Sequence, residues 1–190
     1  MVSGLIALVA VLVLPEASAM LPATAVPTAT AATDDGDATT SPFTTGNFRF
    51  AGGQRQRDAV HEAIERVVEA LPSIFHQAAR RRLGAANAIP QRVTMTMIGD
   101  DLIVRYGDLQ PQRAPLDGSV REWRNREGTR VSLKHELRGD KLVQTTWSSK
   151  GRRTMVWSLS DDGQRLRVHS VMSAKLLPKD IDYRLTFRRR

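Results

Sequence analysis

The feature that most constrains this chain is an alternation of apolar and polar residues that begins after Pro90. An alternation with a period of two is typical of strands that bury one face. The alternating segments predict strands near residues 92–98, 102–106, 119–125, 129–137, 141–148, 152–160, 165–174 and 182–189. Short turn sequences such as GDD, RGDK and DDGQ separate most of them. Parallel crossovers need about a dozen residues, so these short links predict an antiparallel meander.

The residues before the meander carry a different pattern. Residues 46–52 read as a short strand, and apolar residues then recur at helical spacing as far as Leu71. Pro72 breaks this helix, and Gly84 is expected to stop a second one. The two helices are therefore predicted near residues 54–71 and 73–83.

A meander of this length has two free edges, and closure into a barrel removes them. The very short connections favour a barrel over a two-sheet sandwich. The predicted fold is mainly β: an antiparallel up-and-down meander closed into a barrel of eight to ten strands, with a two-helix insertion after the first strand. Residues 46–190 form this single domain, in which 110–118 is a short edge strand or a loop. A barrel of this size can enclose a small ligand.

The N-terminal region predicts export. Residues 5–14 form an apolar run that is too short to span a bilayer, which needs about 20 residues. Small residues follow in the pattern ASA, so residues 1–19 are predicted to be a signal peptide cleaved after Ala19. Residues 20–45 are rich in Ala, Thr and Pro and predict a disordered linker. The expected location is periplasmic or extracellular.

Charge and cysteine content restrict the possible partners. All 28 basic residues and 16 of the 20 acidic residues lie after residue 45, so the predicted domain carries a net charge of +12. This charge predicts attraction to anionic partners such as a membrane or glycan surface. The chain has no Cys, which excludes disulfides, thiol nucleophiles and thiolate metal sites. Aromatic residues make up only 5% of the chain, so nucleic acid is not an expected partner.

The DDGQ turn gives the strands that flank it an inner and an outer face. Pairing Leu159 with Leu166 places apolar residues on one face and Arg165, Arg167 and His169 on the other. Extending the pattern to the preceding strands adds a few polar residues to the apolar face. The predicted ligand-binding residues are Leu133, His135, Gln144, Met155, Trp157, Val168 and Met172. For the strand near 119–125, the alternation leaves open whether Trp123 or the set with Val120 faces inward.

The order of elements resembles that of a known superfamily. One strand, two short helices and a long meander is the order found in fatty-acid-binding-type barrels among the calycins. In the first strand, Gly46 and Phe48 are similar to the Gly-x-Trp of lipocalins, and Arg188 is the candidate for the late Arg that packs on it. Over residues 46–190 the chain therefore resembles a bacterial exported calycin-like barrel. The fatty-acid-binding family's Arg-x-Tyr, which grips a carboxylate, has no counterpart in DYRLTFRRR.

No motif in the sequence predicts catalysis. HEAIE at 61–65 has Glu65 where a zinc-protease helix needs its second His. His61 and His169 are expected on the surface and His76 at a helix boundary. The Asp pairs at 100–101 and 161–162 belong to turn regions, where Asp bonds the backbone. The chain is therefore expected to be a non-enzymatic monomer without a metal or cofactor.

Two functions fit these observations. The first is an exported small barrel that binds an apolar or amphipathic small molecule in its interior, with His135 and Gln144 fixing a polar end. The alternative is a non-enzymatic, envelope-associated protein that binds anionic lipid or glycan through an Arg-rich outer surface. Basic clusters such as KGRR at 150–153 and FRRR at 187–190 supply that surface.

Overall fold

The computed structural model describes Phe43 and residues 45–124 and 128–190. The predicted signal peptide, and the predicted linker except Phe43 and Thr45, lie outside the described residues. The strands are β1 (Thr45–Phe50), β2 (Arg92–Ile98), β3 (Asp101–Tyr106), β4 (Gln112–Pro115), β5 (Asp117–Arg124), β6 (Arg130–Arg138), β7 (Lys141–Trp147), β8 (Gly151–Leu159), β9 (Arg165–Ala174) and β10 (Ile181–Arg189). The helices are α1 (Gly53–Val68) and α2 (His76–Ala86), with a 3₁₀ turn at Ser73–Phe75 between them. In this part of the chain, neither helix is long and apolar enough to cross a membrane.

The strands form one antiparallel sheet that closes almost completely into a barrel. Their order is β4-β3-β2-β1-β10-β9-β8-β7-β6-β5, so sequence neighbours pair in space and β1 pairs with β10. The predicted mainly β fold, with its meander and its two helices after the first strand, is confirmed. The stretch predicted as an edge strand or a loop contains β4. Within the described sheet, β4 and β5 are the two edge strands, and we call the junction between them the seam.

The register confirms the predicted inner and outer faces. Leu159 pairs with Leu166 across the DDGQ turn, as the alternation predicted. In β5, where the sequence left two faces open, Val120 pairs with Lys134 and is 47% exposed, so the set with Val120 faces outward. The register shifts between Asp117 and Val120. A shift of this kind breaks the strict alternation and explains why the pattern was ambiguous there.

Helix α1 covers the barrel where β1 ends. Its apolar stripe of Val60, Ile64 and Val67 is buried in the main core. The strand ends at Phe50. The Ala51 N–H still donates to Thr186 O at 2.8 Å, but the Thr186 N–H finds no backbone acceptor on β1. The Gln56 side chain takes the place of the strand: the Thr186 N–H donates to its Oε1 at 2.7 Å, and its Nε2 donates to Thr186 Oγ1 at 3.0 Å. These bonds fix the helix to the wall.

Helix α2 ends later than the sequence predicted. Gly84 lies inside the helix, which continues to Ala86, so the prediction that Gly84 stops it is wrong. Asn87 follows the last turn, and its side-chain Nδ2 donates to Leu83 O at 2.9 Å. The Asn87 backbone N–H donates to the same carbonyl at 2.9 Å, so the side chain adds a second hydrogen bond at the end of the helix. Asn87 is buried, so the end of α2 is anchored in the protein interior.

The late Arg that packs on Phe48 is Arg189, and the prediction that it is Arg188 is wrong. Phe48 pairs with Arg189 across β1 and β10, and the guanidinium lies 5.0 Å from the centre of the Phe48 ring. Arg188 is one residue away, and it therefore lies exposed on the outer face. Gly46 is required beside this pair, because a Cβ there would come within 2.5 Å of the Phe48 ring.

Candidate functional site

The inner face of β6–β10 is organised in four rows of directly paired residues. The first row holds Leu133, Thr146, Arg153, Met172 and Ile181. The second holds His135, Gln144, Met155, Ser170 and Tyr183. The third holds Leu137, Leu142, Trp157, Val168 and Leu185. The fourth holds Leu159, Leu166 and Phe187. All seven predicted ligand-binding residues lie in the first three rows, and all are buried.

Polarity follows a gradient along the barrel. The first two rows contain most of the polar side chains, whereas the third and fourth are apolar apart from the Trp157 indole N–H. The first row lies beneath the end of α2, since Arg153 donates to Ala86 O at 2.9 Å. The interior therefore has a polar end under the helices and an apolar floor at the opposite end.

Gln144 closes the seam from the inside. Its Nε2 donates to Gln112 Oε1 on β4 at 2.6 Å, and its Oε1 accepts from the Tyr106 hydroxyl on β3. These contacts link β7 to the strands on the other side of the seam. Burial raises the pKa of Tyr106, so this hydroxyl remains a proton donor throughout the ordinary pH range. The primary role that the structure gives Gln144 is therefore to hold the barrel closed.

His135 crosses the same seam and keeps one free nitrogen. Its Nδ1 lies 3.3 Å from Ala114 O on β4. A carbonyl oxygen can only accept, so Nδ1 carries the proton and Nε2 is left as an acceptor. Nε2 is buried and has no hydrogen-bond partner among the described residues. Burial lowers the pKa of His135 to about 4, so the imidazole is neutral at physiological pH.

Arg153 is a charged residue of the interior that the sequence reasoning missed. Its Nη2 donates to Ala86 O at 2.9 Å and to Asn87 Oδ1 at 2.6 Å. The Tyr183 hydroxyl also donates to Asn87 Oδ1, at 3.2 Å. The KGRR run was interpreted as outer surface, but Arg153 precedes inward-facing Met155 by two residues. The same alternation that placed Met155 would have placed Arg153 inside.

Several interior polar atoms have no partner in the part of the chain that the structure describes. They are His135 Nε2, Thr146 Oγ1, Arg153 Nε, Ser170 Oγ and Trp157 Nε1, and all are buried. A buried polar group without a hydrogen bond costs about 1–3 kcal/mol. Four of the five atoms belong to the first two rows. We call Thr146, Arg153, His135 and Ser170 the polar cluster.

The outside of the seam opens into a cleft of about 600 Å³. Buried Leu133 forms part of its lining, together with Gln112, whose side chain bonds Gln144 inside. Asp101 lies at the rim and pairs with Arg113 at 2.6 Å and with Arg121 at 3.7 Å. Of these two pairs, Asp101–Arg121 joins β3 to β5 across the seam, whereas Asp101–Arg113 joins the neighbouring strands β3 and β4. The seam is therefore held by one ion pair outside and by amide and imidazole bonds inside.

The remaining histidines lie away from the polar cluster. His61 is exposed on α1, His76 Nε2 lies 2.9 Å from Leu71 O at the start of α2, and His169 Nε2 lies 2.7 Å from Asp182 Oδ1. Within the described ranges, no group of three or more His, Asp or Glu side chains is placed to hold a metal ion.

No family model matches this chain, and no curated protein does either. Solved structures similar to it include a fatty-acid-binding protein from brain tissue of Drosophila melanogaster, with 14% identity over 78% of this chain and 99% of that chain and a TM-score of 0.47. A Schistosoma mansoni fatty-acid-binding protein in complex with arachidonic acid shows 16% identity over 80% and 98%, with a TM-score of 0.44. Wild-type fluorescent protein UnaG shows 15% identity over 76% and 96%, with a TM-score of 0.43. Such low identities leave the ligand to be argued from this chain's own residues.

Proposed function

We propose that this protein binds an amphipathic small molecule with an anionic group inside the barrel. The observation that carries the proposal is the polar cluster: buried polar atoms without a partner among the described residues lie in two adjacent rows at one end of an otherwise apolar interior. Ligand sites are mostly apolar with a few placed polar groups, which is the composition seen here. The ligand's anionic group would lie beneath α2, and its apolar part would extend toward the floor.

Arg153 gives the preference for an anion. No carboxylate pairs with it in the described part of the chain, and its Nε is buried without an acceptor. The side chain is half-buried, and a carboxylate, sulfonate or phosphate would give its charge an ionic partner and its Nε an acceptor. A guanidinium also offers donors in a planar fork that matches such groups with two hydrogen bonds. Thr146 and Ser170, on the neighbouring strands β7 and β9, add hydroxyl donors beside it.

The apolar part of the ligand would contact the predicted residues Leu133, Met155, Trp157, Val168 and Met172. Two of these five are methionines, which are flexible and polarisable and adapt to ligands of different shape. Trp157 lies beside Tyr106, with 6.0 Å between ring centres, and its free indole N–H can donate to a polar atom along the ligand. His135 Nε2 would accept a hydrogen bond from a ligand hydroxyl or amide.

Two dyes that differ mainly in charge test this proposal. The sulfonated dye 1-anilinonaphthalene-8-sulfonate and its uncharged counterpart N-phenyl-1-naphthylamine both fluoresce more strongly in apolar surroundings. We expect Arg153→Gln to weaken binding of the sulfonated dye about tenfold or more and to leave the neutral dye within about twofold, since a charge-assisted hydrogen bond contributes about 1.5–3 kcal/mol. The matched control is Arg152→Gln, a substitution at the adjacent residue on the outer face. It should leave the affinity for both dyes unchanged.

Water can also satisfy buried polar atoms, so occupancy has to be measured. Native mass spectrometry of the protein purified from its host, followed by solvent extraction, would detect a co-purified small molecule. A discrete bound mass that is anionic and amphipathic supports the proposal and identifies the ligand class. If neither dye binds in the interior and no mass is released, the cluster holds water and the proposal fails.

The proposal includes export to the periplasm or the cell exterior. It is supported by the apolar run at 5–14 and by the ASA sequence that follows. The mass of the protein recovered after expression in its host tests this directly. Cleavage after Ala19 predicts a mature chain that begins at Met20, whereas an intact N-terminus in the cytoplasmic fraction would contradict export.

A further inference from the structure

Four arginines stand in direct register on the outside of the barrel. Arg165 on β9 pairs with Arg188 on β10, Arg188 pairs with Arg49 on β1, and Arg49 pairs with Arg92 on β2. All four side chains are exposed. We call Arg165, Arg188, Arg49 and Arg92 the arginine row. It crosses four neighbouring strands, including the β1–β10 pair that closes the sheet.

The arginine row is unfavourable for the folded protein on its own. Neighbouring strands lie about 4.8 Å apart, and like charges directly opposite each other destabilise a sheet. Among the described residues, none of the four side chains forms an ion pair or a hydrogen bond. Two carboxylates border the row without pairing with it: Asp162 accepts hydrogen bonds within its own turn, and Asp108 lines a small cleft beside Arg49 and Arg92.

We propose that the arginine row docks the barrel wall on an anionic phospholipid surface. Three strand spacings give the row a length of about 14 Å. Arg167 and Arg184, exposed on the outer faces of β9 and β10, widen the charge from a line into a patch. A guanidinium binds a phosphate with two parallel hydrogen bonds, so each Arg can hold a lipid phosphate. This surface lies across the wall from the interior site and does not depend on it.

The surroundings of the row favour a membrane over a nucleic acid. Proteins that bind single-stranded nucleic acid stack bases on exposed aromatic rings. Among the residues whose exposure the structure describes, the large apolar side chains that are exposed are aliphatic: Ile74, Ile98, Leu109, Val120 and Leu176. Leu109 follows Asp108 directly, beside the Arg92 end of the row, and offers an apolar side chain to the lipid interface.

Vesicle binding by the full chain and a charge-matched pair of variants tests the proposal. The row variant is Arg49→Gln with Arg188→Gln, the two central residues. The control is Arg81→Gln with Arg152→Gln, which removes the same charge from exposed sites on α2 and β8. Partitioning is measured on vesicles of phosphatidylglycerol with phosphatidylcholine and on phosphatidylcholine alone. The apolar run at 5–14 contributes to binding on both kinds of vesicle. The ratio of the partition coefficient on phosphatidylglycerol vesicles to that on phosphatidylcholine vesicles therefore isolates the electrostatic contribution of the protein.

We expect the row variant to lose about 25-fold in that ratio, since a basic residue at an anionic membrane surface contributes about fivefold in affinity. The control should lose much less, and added salt should reduce the difference between the two variants. The row variant should keep or slightly raise its melting temperature, because it removes like-charge pairs, so unfolding cannot explain the loss. Equal losses in both variants would overturn the proposal. So would row-dependent binding of single-stranded DNA or heparin that is tighter than vesicle binding at the same salt.

Discussion

Two adjacent arginines on β8, Arg152 and Arg153, lie on opposite faces of the barrel wall and have different surroundings. Arg152 is exposed on the outer face, between Trp147 and Ser173 on the neighbouring strands. Arg153 points inward, where it bonds Ala86 and Asn87 at the end of α2. Inside the wall, polar groups are few and positioned. Outside it, charged side chains are numerous and exposed. In a barrel wall, the place of a basic residue in the inward–outward alternation therefore determines its role. The net charge of the surrounding run does not.

The largest effect that distinguishes the two faces is the loss of interior packing. Trp157 is almost fully buried, so Trp157→Ala should lower the free energy of unfolding by about 3–5 kcal/mol. Arg167→Ala, on the outer face of the adjacent strand β9, should stay within about 0.5 kcal/mol. Urea unfolding of both variants measures the contrast. Similar losses for the two would mean that the outer face also packs against something.

The next effect is a loss of stability in acid that depends on His135. Because burial lowers its pKa from 6.5 to about 4, the unfolded chain binds a proton that the folded protein does not bind between these values. This contribution is present above pH 6.5 and is lost as the pH falls toward 4, with a total of about 3 kcal/mol. The free energy of unfolding, measured by urea titration at a series of pH values, should therefore fall less between pH 6.5 and 4 in His135→Gln than in the wild type. His169→Gln, on the outer face, is the control that should keep the wild-type fall.

Asn87→Ala tests the contact between the helices and the wall. The substitution removes the acceptor shared by Arg153 and Tyr183 and the bond to Leu83. We expect a loss of about 1–3 kcal/mol in unfolding free energy, since buried donors lose their partner. Hydrogen exchange should rise in α2 and not in β8. Unchanged exchange in α2 would show that the helix is held by its apolar contacts alone.

The smallest predicted effect concerns Ser170. Its hydroxyl is buried without a partner among the described residues, so Ser170→Ala should be close to neutral or slightly stabilising in the ligand-free protein. The same substitution should weaken binding of the sulfonated dye if the hydroxyl contacts its anionic group. A clear loss of stability without ligand would show that Ser170 binds ordered water.

The strands were predictable from the sequence because each rests on local information. A period of two and recognisable turns define β6–β10 almost to the residue, and with them the inward position of His135 and Gln144. Contacts across the seam were not predictable, because His135 and Ala114 are brought together by closure and not by a turn. The prediction that Arg188 packs on Phe48 failed for the same reason, since no local signal sets the register of β1 against β10.

The pairing of β1 with β10 also has a consequence for the order in which this protein can be built. The two strands are more than a hundred residues apart in the chain, and β10 is the last strand. Until β10 has been synthesised, β1 has only β2 as a partner, and its Phe48 and Phe50 side chains lack the partner strand that covers them. Ring closure therefore cannot precede the synthesis of β10, and a ribosome that stalls before β10 leaves an open, aggregation-prone sheet.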